Sequence, residues 1–420
     1  MARRNPGLHV WLYGREIAVL DEPSRFRYRL RYSEQALDEL GVGARALSIS
    51  LPVTRAEIRD SSPTNAPVGN FLAGLLPEGN LLTQVAQIAR IPVTDAMGLL
   101  KVVGRECAGA VQFLPEGERP TEGRIRPLNQ TELEIAITSL PSYVLPGENG
   151  PQASLAGIQD KLLLARTDTG WGLPEGAAAS THVIKPEPQP GAALPGLIES
   201  EDWALKVARR AGLAASESSV RLFGDRKAIV IRRYDRTSEG NRTHQEDFCQ
   251  ALGLNPASKY ESPSTGPSRL ASLVELAGPR ALDPETFRRD LLQAITFNAI
   301  IGNGDAHSKN YSLLLDERGR VNLAPLYDCA PVYFLSSRFA TLGQLVNGKA
   351  SLRDLCVDDL VEEAGRWRMG RREAREIVHA TIERTWDAAQ SVEPPDDLPA
   401  ALIPALEHEW ATKGWRQAQP

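Results

Sequence analysis

The hydrophobic period of this chain changes along its length, and that change constrains the fold more than any other feature. Near the start, 10–14 and 16–20 read as a strand, a glycine turn and a strand, and Phe26-Arg27-Tyr28-Arg29-Leu30 alternates cleanly as a third, the period-two pattern of a half-buried strand. From residue 268 the spacing turns helical, over 268–276, 284–301, 353–365, 371–389 and 398–410. Strands followed by helices predict an α+β fold with a β-rich first lobe and an all-helical second. With 420 residues, 42% of them hydrophobic, there is material for two or three packed units.

Between these extremes the pattern is mixed. Helices are expected over 71–76, 81–89 and 95–103, a short strand near 111–113, and a helix from Thr131 with Glu134 completing a capping box. Two Pro/Gly-rich stretches, 141–151 and 170–195, read as loops beside strands at 161–165 and 182–185. A helix over 199–211 closed by Gly212 and strands at 220–223 and 228–232 complete a small sheet with one helix against it. The expected segments are 1–125, 126–248 as the rest of the first lobe, and 249–420 as the helical lobe.

A net charge of -5 gives no overall attraction to nucleic acid or anionic lipid. The best local basic patch, Arg366, Arg368, Arg371, Arg372 and Arg375, is interleaved with Glu373 and Glu376, which favours a solvated helix face over a DNA contact. Cys107, Cys249, Cys329 and Cys356 are far apart and form no zinc knuckle, so a reducing cytoplasm fits best. No run approaches the roughly 18 apolar residues of a spanning helix, and neither secretion nor a membrane is expected.

The segment Gly302-Asn303-Gly304-Asp305-Ala306-His307-Ser308-Lys309-Asn310 sets an aspartate five positions before an asparagine, and Asp328 follows. Phosphoryl transfer needs a carboxylate to orient the attacking hydroxyl and accept its proton, plus an amide and a second carboxylate to hold magnesium. Asp305, Asn310 and Asp328 have those types in that order. Taken singly, the first segment also reads as a turn and Asp328 as a helix cap. A hairpin of 311–315 and 321–323 about 316–319 would bring the two loops side by side. His307, with no nucleophile motif nearby, reads as a loop-shaping or phosphate-neighbouring residue.

A nucleotide also needs backbone N–H groups or a cation near its phosphates. Small residues Ser154, Ala156 and Gly157 precede Gln159 and Lys161 and would let the backbone approach an anion, although taken alone the same residues favour a plain turn. Lys185 ends a strand before Pro186, either reaching phosphates or simply solvated. Glu201 could pair with it or favour a helix N-terminus. Residues 245–248 lie where β-rich sequence gives way to helical sequence. Their backbone at Glu246 and Asp247 is a candidate adenine hinge, with Phe248 offering an apolar surface.

Together, residues 70–79, 154–161, Ile184-Lys185, 245–250, Lys259-Tyr260-Glu261, 303–310 and Leu326-Tyr327-Asp328 resemble the HipA serine/threonine kinase toxins of bacterial toxin-antitoxin modules, in order over about 8–410. The resemblance implies a two-lobed protein-kinase-like (phosphoinositide-kinase-like) fold that uses ATP and Mg2+. It implies Asp305 as catalytic base and Asn310 and Asp328 as metal ligands. Ser154, Ala156, Gly157, Gln159, Lys161, Lys185, Glu246, Asp247, Phe248, His307, Lys309, Asn310, Tyr327 and Asp328 would contact the nucleotide. Ser154 matches the serine that is autophosphorylated to switch such kinases off. The implied substrate is an aminoacyl-tRNA synthetase, and the implied partner is a helix-turn-helix antitoxin of the HipB type that carries operator DNA indirectly. Rival readings are a small-molecule phosphotransferase and a catalytically idle co-repressor.

Overall fold

In the computed structural model the described residues are 7–120, 123–140, 160–188, 194–237, 239–263 and 267–415. The chain forms two compact units, the first of Met1–Pro186, Arg221–Pro256 and Leu314–Arg320, the second of Glu187–Val220, Ala257–Leu313 and Val321–Pro420.

The first unit contains two sheets. One is antiparallel, in the order Ile58–Arg59, Arg27–Tyr32, Arg15–Ser24, Leu8–Leu12, Val111–Pro115, with Leu8 opposite Leu20 and Val10 opposite Phe113. Strand Arg27–Tyr32 alternates cleanly, turning Tyr28, Leu30 and Tyr32 into the core, while Val111–Pro115 buries four consecutive side chains; Leu8, Val10, Leu20, Leu30 and Phe113 are all buried. Helices Pro67–Leu75, Gly79–Ala89 and Ala96–Val103 supply Phe71, Leu72, Val85, Met97 and Leu100 to the same cluster. Helix Pro67–Leu75 has no cap of its own. The Asp60 carboxylate instead accepts from Val68 N and Gly69 N at 3.0 and 3.1 Å.

The second sheet runs Ser218–Phe223, Arg226–Arg232, His182–Pro186, Leu162–Thr167, Gly170–Glu175, Arg124–Leu128, its first strand belonging to this unit from Arg221 on. One hydrophobic cluster joins both sheets, from Leu8 through Phe113 to Leu164, Ile184 and Val230. Strand Gly170–Glu175 lies in a stretch expected to be loop; Trp171 and Leu173 are buried there, and that burial outweighs the flanking glycines. The helix after the first sheet is Gln130–Thr138, and its capping box is Asn129 with Glu132, two residues before the Thr131/Glu134 pair expected. Helix Leu197–Arg210, expected against this sheet, groups with the second unit and packs on Arg371–Ser391.

A buried ionic cluster ties the first unit together. Glu106 and Asp235 are shared among Arg233, Arg236 and Arg242: Arg233 Nη1 reaches Glu106 at 3.1 Å, Arg233 Nη2 reaches Asp235 at 2.8 Å, and Arg236 Nη1 reaches Asp235 at 2.9 Å. Arg242 also pairs with Glu106. The guanidiniums outweigh the desolvation penalty and hold the Asp235 carboxyl well below its ordinary range. Gly109 lets this region close: its φ is +75°, and a Cβ there would lie 2.6 Å from Gln245 N.

The second unit is mostly helical. Pro284–Ile300, Val357–Arg366 and Arg371–Ser391 pack mutually, with Leu291, Leu292 and Ile295 on the first and Ala374, Val378 and Ile382 at four-residue spacing on the last, all buried. Pro284 stands at the first helical position after the cap Asp283. At the other end Trp410 Nε1 donates to Ile300 O, occupying a last-turn carbonyl. Among the described residues no helix is long and apolar enough to cross a membrane.

Candidate active site

Helix Pro284–Ile300 delivers the loop that carries Asp305. Gly302, with φ +76°, turns the chain out of the helix, and Asn303 N bonds back to Asn298 O at 2.9 Å. The loop then tightens on itself: His307 N donates to Asp305 O at 2.7 Å, and Asn310 N to His307 O at 2.8 Å. Two glycines let neighbouring segments grip it. A Cβ at Gly304 would fall 1.9 Å from Phe339 O, and one at Gly343 would fall 2.5 Å from both Ala306 C and His307 N.

Asn310 Nδ2 donates to Asp305 O at 2.9 Å, so the candidate base and the candidate metal ligand are fixed to each other through the loop backbone. That bond uses the donor end of the amide and leaves its oxygen, the hard donor that magnesium takes. Asp328 sits in the left-handed region at φ +48°, a conformation held against strain. Asn303 Nδ2 reaches both Asn298 Oδ1 at 2.8 Å and Asp328 O at 3.3 Å, linking the Asp305 loop to the Asp328 loop. Tyr327 Oη donates to Lys309 O at 2.8 Å and lies 2.6 Å from Ser312 Oγ. Asp305, Asn310 and Asp328 thus share one bonded loop assembly. His307, Lys309 and Asn310 are buried, and Asp305, Tyr327 and Asp328 half-buried. Among the described residues no cluster of three or more His, Cys, Asp or Glu could hold a metal. A carboxylate and an amide oxygen suit an ion that takes its remaining ligands from phosphates and water.

Sequence reasoning passed over what holds this loop from outside. Tyr260 Oη donates a short hydrogen bond to Asp305 Oδ1, and its ring meets His307 edge-on with centroids 4.9 Å apart. Lys259 O, one residue earlier, accepts from Ser308 N at 3.0 Å, Arg269 Nη1 at 3.2 Å and Gln344 Nε2 at 3.3 Å. One residue later, Glu261 N donates to Gly343 O at 3.0 Å. The Glu261 carboxylate takes Arg269 N and Leu345 N, each at 2.9 Å. Its pKa lies above the ordinary value because burial outweighs these donors. No sequence spacing signals the contacts to Asp305, Gln344 and Leu345, which lie 45 to 85 residues from their partners.

The expected nucleotide residues of the first unit are distributed as follows. Lys185 is on strand His182–Pro186 with Ile229 opposite and is only 5% exposed, so it is not a solvated strand end. Lys161, just before strand Leu162–Thr167, is likewise buried. Ser154, Ala156, Gly157 and Gln159 lie outside the described residues. In the candidate hinge every side chain turns inward: Glu246 accepts from Ser48 Oγ at 2.6 Å and Ile49 N at 2.7 Å, and Asp247 caps a short helix by accepting from Gln250 N at 2.9 Å. Phe248 is 1% exposed within the core, not offering a face as expected. Burial pushes the Glu246 carboxyl up to about 8. Glu201 is buried on helix Leu197–Arg210 of the second unit.

Four of the five arginines of the basic patch are ion-paired within the second unit. Arg371 pairs with Glu362, Arg372 with Glu376 at 2.8 Å, Arg375 with Asp358, and Arg366 with Glu363 at 3.5 Å.

The architecture is that of an α+β, protein-kinase-like fold. It aligns over 97% of this chain and 96% of the other, with TM-score 0.77 and 23% identity, to HipA of Shewanella oneidensis solved with HipB and its operator DNA. Residues 8–114 match the HipA N-terminal domain and residues 153–389 the HipA-like C-terminal domain. The chain is 33% identical over 394 residues, 90% of each protein, to a Sinorhizobium fredii protein called putative kinase Y4mE. It is 30% identical over 291 residues, 65% of each, to the serine/threonine-protein kinase toxin HipA of S. oneidensis. The chain belongs to the HipA family.

Proposed function

We propose that this protein is an ATP-dependent serine/threonine protein kinase acting as the toxin of a toxin-antitoxin module. The observation that carries the reading is the bonded assembly of Asp305, Asn310 and Asp328 in a chain of the HipA family. Asp305 orients an acceptor hydroxyl and takes its proton as the γ-phosphoryl moves to the acceptor oxygen. Asn310 and Asp328 would hold magnesium, which supplies charge neutralisation at the phosphate oxygens. Lys185 and Lys161 are assigned to the phosphates and the backbone of Glu246 and Asp247 to the adenine, with Glu201 as the counter-ion of Lys185.

The substrate is assigned as an aminoacyl-tRNA synthetase, whose phosphorylation would slow translation, and Ser154 as the site of self-inactivation, where phosphorylation would add a dianion. The relative solved with HipB and operator DNA supports a helix-turn-helix antitoxin as partner. Operator DNA would be reached through it, since Arg366, Arg371, Arg372 and Arg375 are already paired. Incubating the protein with labelled ATP, magnesium and cell extract tests this. Label on a tRNA synthetase and on Ser154 is expected, and label on a small molecule with none on protein would overturn it.

A further inference from the structure

Tyr260 is 47% exposed, so burial of its ring does not explain why it is held where it is. Its backbone is fixed on both sides, by the three donors on Lys259 O and by the Glu261 N bond to Gly343 O. Its ring is set edge-on against His307, and its phenol donates to Asp305 Oδ1. An exposed tyrosine would otherwise sample several rotamers. Here the surrounding bonds converge on one position for its hydroxyl.

We propose that Tyr260 positions the Asp305 carboxylate, its phenol holding Oδ1 so that Oδ2 is the oxygen presented to the acceptor hydroxyl. This deepens the kinase reading and rests on Asp305 being its base. The Asp305 main chain is already fixed, its carbonyl accepting from His307 N and Asn310 Nδ2. The phenol adds a restraint on the carboxylate itself, opposing its rotation about the side-chain torsions. In the transfer step the acceptor O–H proton passes to Oδ2, the acceptor oxygen bonds the γ-phosphorus, and the bond to ADP breaks. The phenolic proton stays on Tyr260 throughout. Fixing a base within hydrogen-bond reach of its target is worth rate because misplacement by an ångström costs about a hundredfold.

The test uses the full chain with magnesium-ATP, and myelin basic protein as acceptor, with self-labelling measured in parallel. Tyr260→Phe keeps the ring against His307 and removes only the hydroxyl. It is expected to lower kcat about tenfold, to leave KM for ATP within about twofold, and to melt like the parent. Tyr260→Ala should match it in kcat loss or exceed it. A Phe variant with parental kcat, whatever the Ala variant does, would show that the hydroxyl plays no part and would overturn the inference. A Phe variant faster than the parent would overturn it too, making the phenol a competitor of the acceptor. Asp305→Asn is run alongside. If that variant keeps parental turnover, or if the parent labels neither protein, the kinase reading itself fails. An inactive Asp305→Asn with an unaffected Tyr260→Phe refutes the positioning role alone.

Discussion

Glu246 offers a stability test of the first unit that needs no substrate. Its carboxyl is fully buried, accepts from Ser48 Oγ at 2.6 Å and Ile49 N at 2.7 Å, and is pushed by burial from 4.5 up to about 8. Folding near neutral pH therefore takes up a proton that the unfolded chain would not hold. Because the folded value is the higher one, this contribution is fully present below the unfolded pKa of 4.5 and is lost as pH rises through about 8. One proton corresponds to about 1.4 kcal/mol per pH unit inside that window, so several kcal/mol are at stake between pH 5 and 8. Glu246→Gln keeps both bonds, its oxygen accepting from Ile49 N and its NH2 donating to Ser48 Oγ, but does not titrate. Urea unfolding followed by circular dichroism from pH 6 to 9 should find the variant more stable than the parent by about 2 kcal/mol at pH 6, where the unfolded carboxyl is already ionised. At pH 9 the difference should have grown to about 4 to 5 kcal/mol. His244, pushed down to about 4 by burial, loses its contribution as pH falls and is common to both proteins, so it cancels in the difference. Parent and variant curves that run parallel across the range would refute the reasoning.

The remaining expectations concern the loop assembly and the buried charges. Asp328→Ala should lose phosphate transfer and also about 1 kcal/mol of stability, because Ala lacks the short polar side chain that makes a left-handed backbone tolerable at Asp or Asn, whereas Asp328→Asn and Asp328→Gly should lose transfer without that cost. Labelled-ATP assays beside thermal melts separate the two effects. Gly343→Ala places a methyl against the backbone of Ala306 and His307 and should lower kcat roughly a hundredfold by moving the Asp305 loop. Gly348→Ala, where a Cβ meets nothing within 4 Å despite φ +76°, should cost about 1 kcal/mol and no activity. Glu106→Gln leaves Arg233, Arg236 and Arg242 with only Asp235 as an acidic partner in the buried cluster, and denaturant unfolding should record a loss of about 3 to 5 kcal/mol.

Much of this arrangement was legible before any coordinates, and for identifiable reasons. Period-two alternation located the strand Arg27–Tyr32, because one face is buried along its length, and 3.6-residue spacing located Pro284–Ile300 and Arg371–Ser391. The Asp305 and Asp328 loops were visible as turn-rich breaks after apolar runs. Strand Gly170–Glu175 was hidden because only Trp171 and Leu173 mark it between glycines. The capping box at Asn129 was displaced because Thr131 and Glu134 repeat the same spacing two residues on. Tyr260, Gln344 and Gly343 could not have been assigned roles, since what matters is their approach to Asp305, Lys259 and Ala306 across long loops. Phe248 misled because an aromatic at a lobe boundary fits a core as well as a ligand.

The most direct test of the account is a paired measurement on Asp305→Ala: nucleotide affinity by calorimetry with magnesium-ATP, and transfer of labelled phosphate to protein. A loop carboxylate, half-buried and outside the hydrophobic core, should be removable with the fold and nucleotide binding retained while transfer falls to background. Undiminished labelling by the Ala variant would contradict the assignment of Asp305 as the base on which the whole site is built.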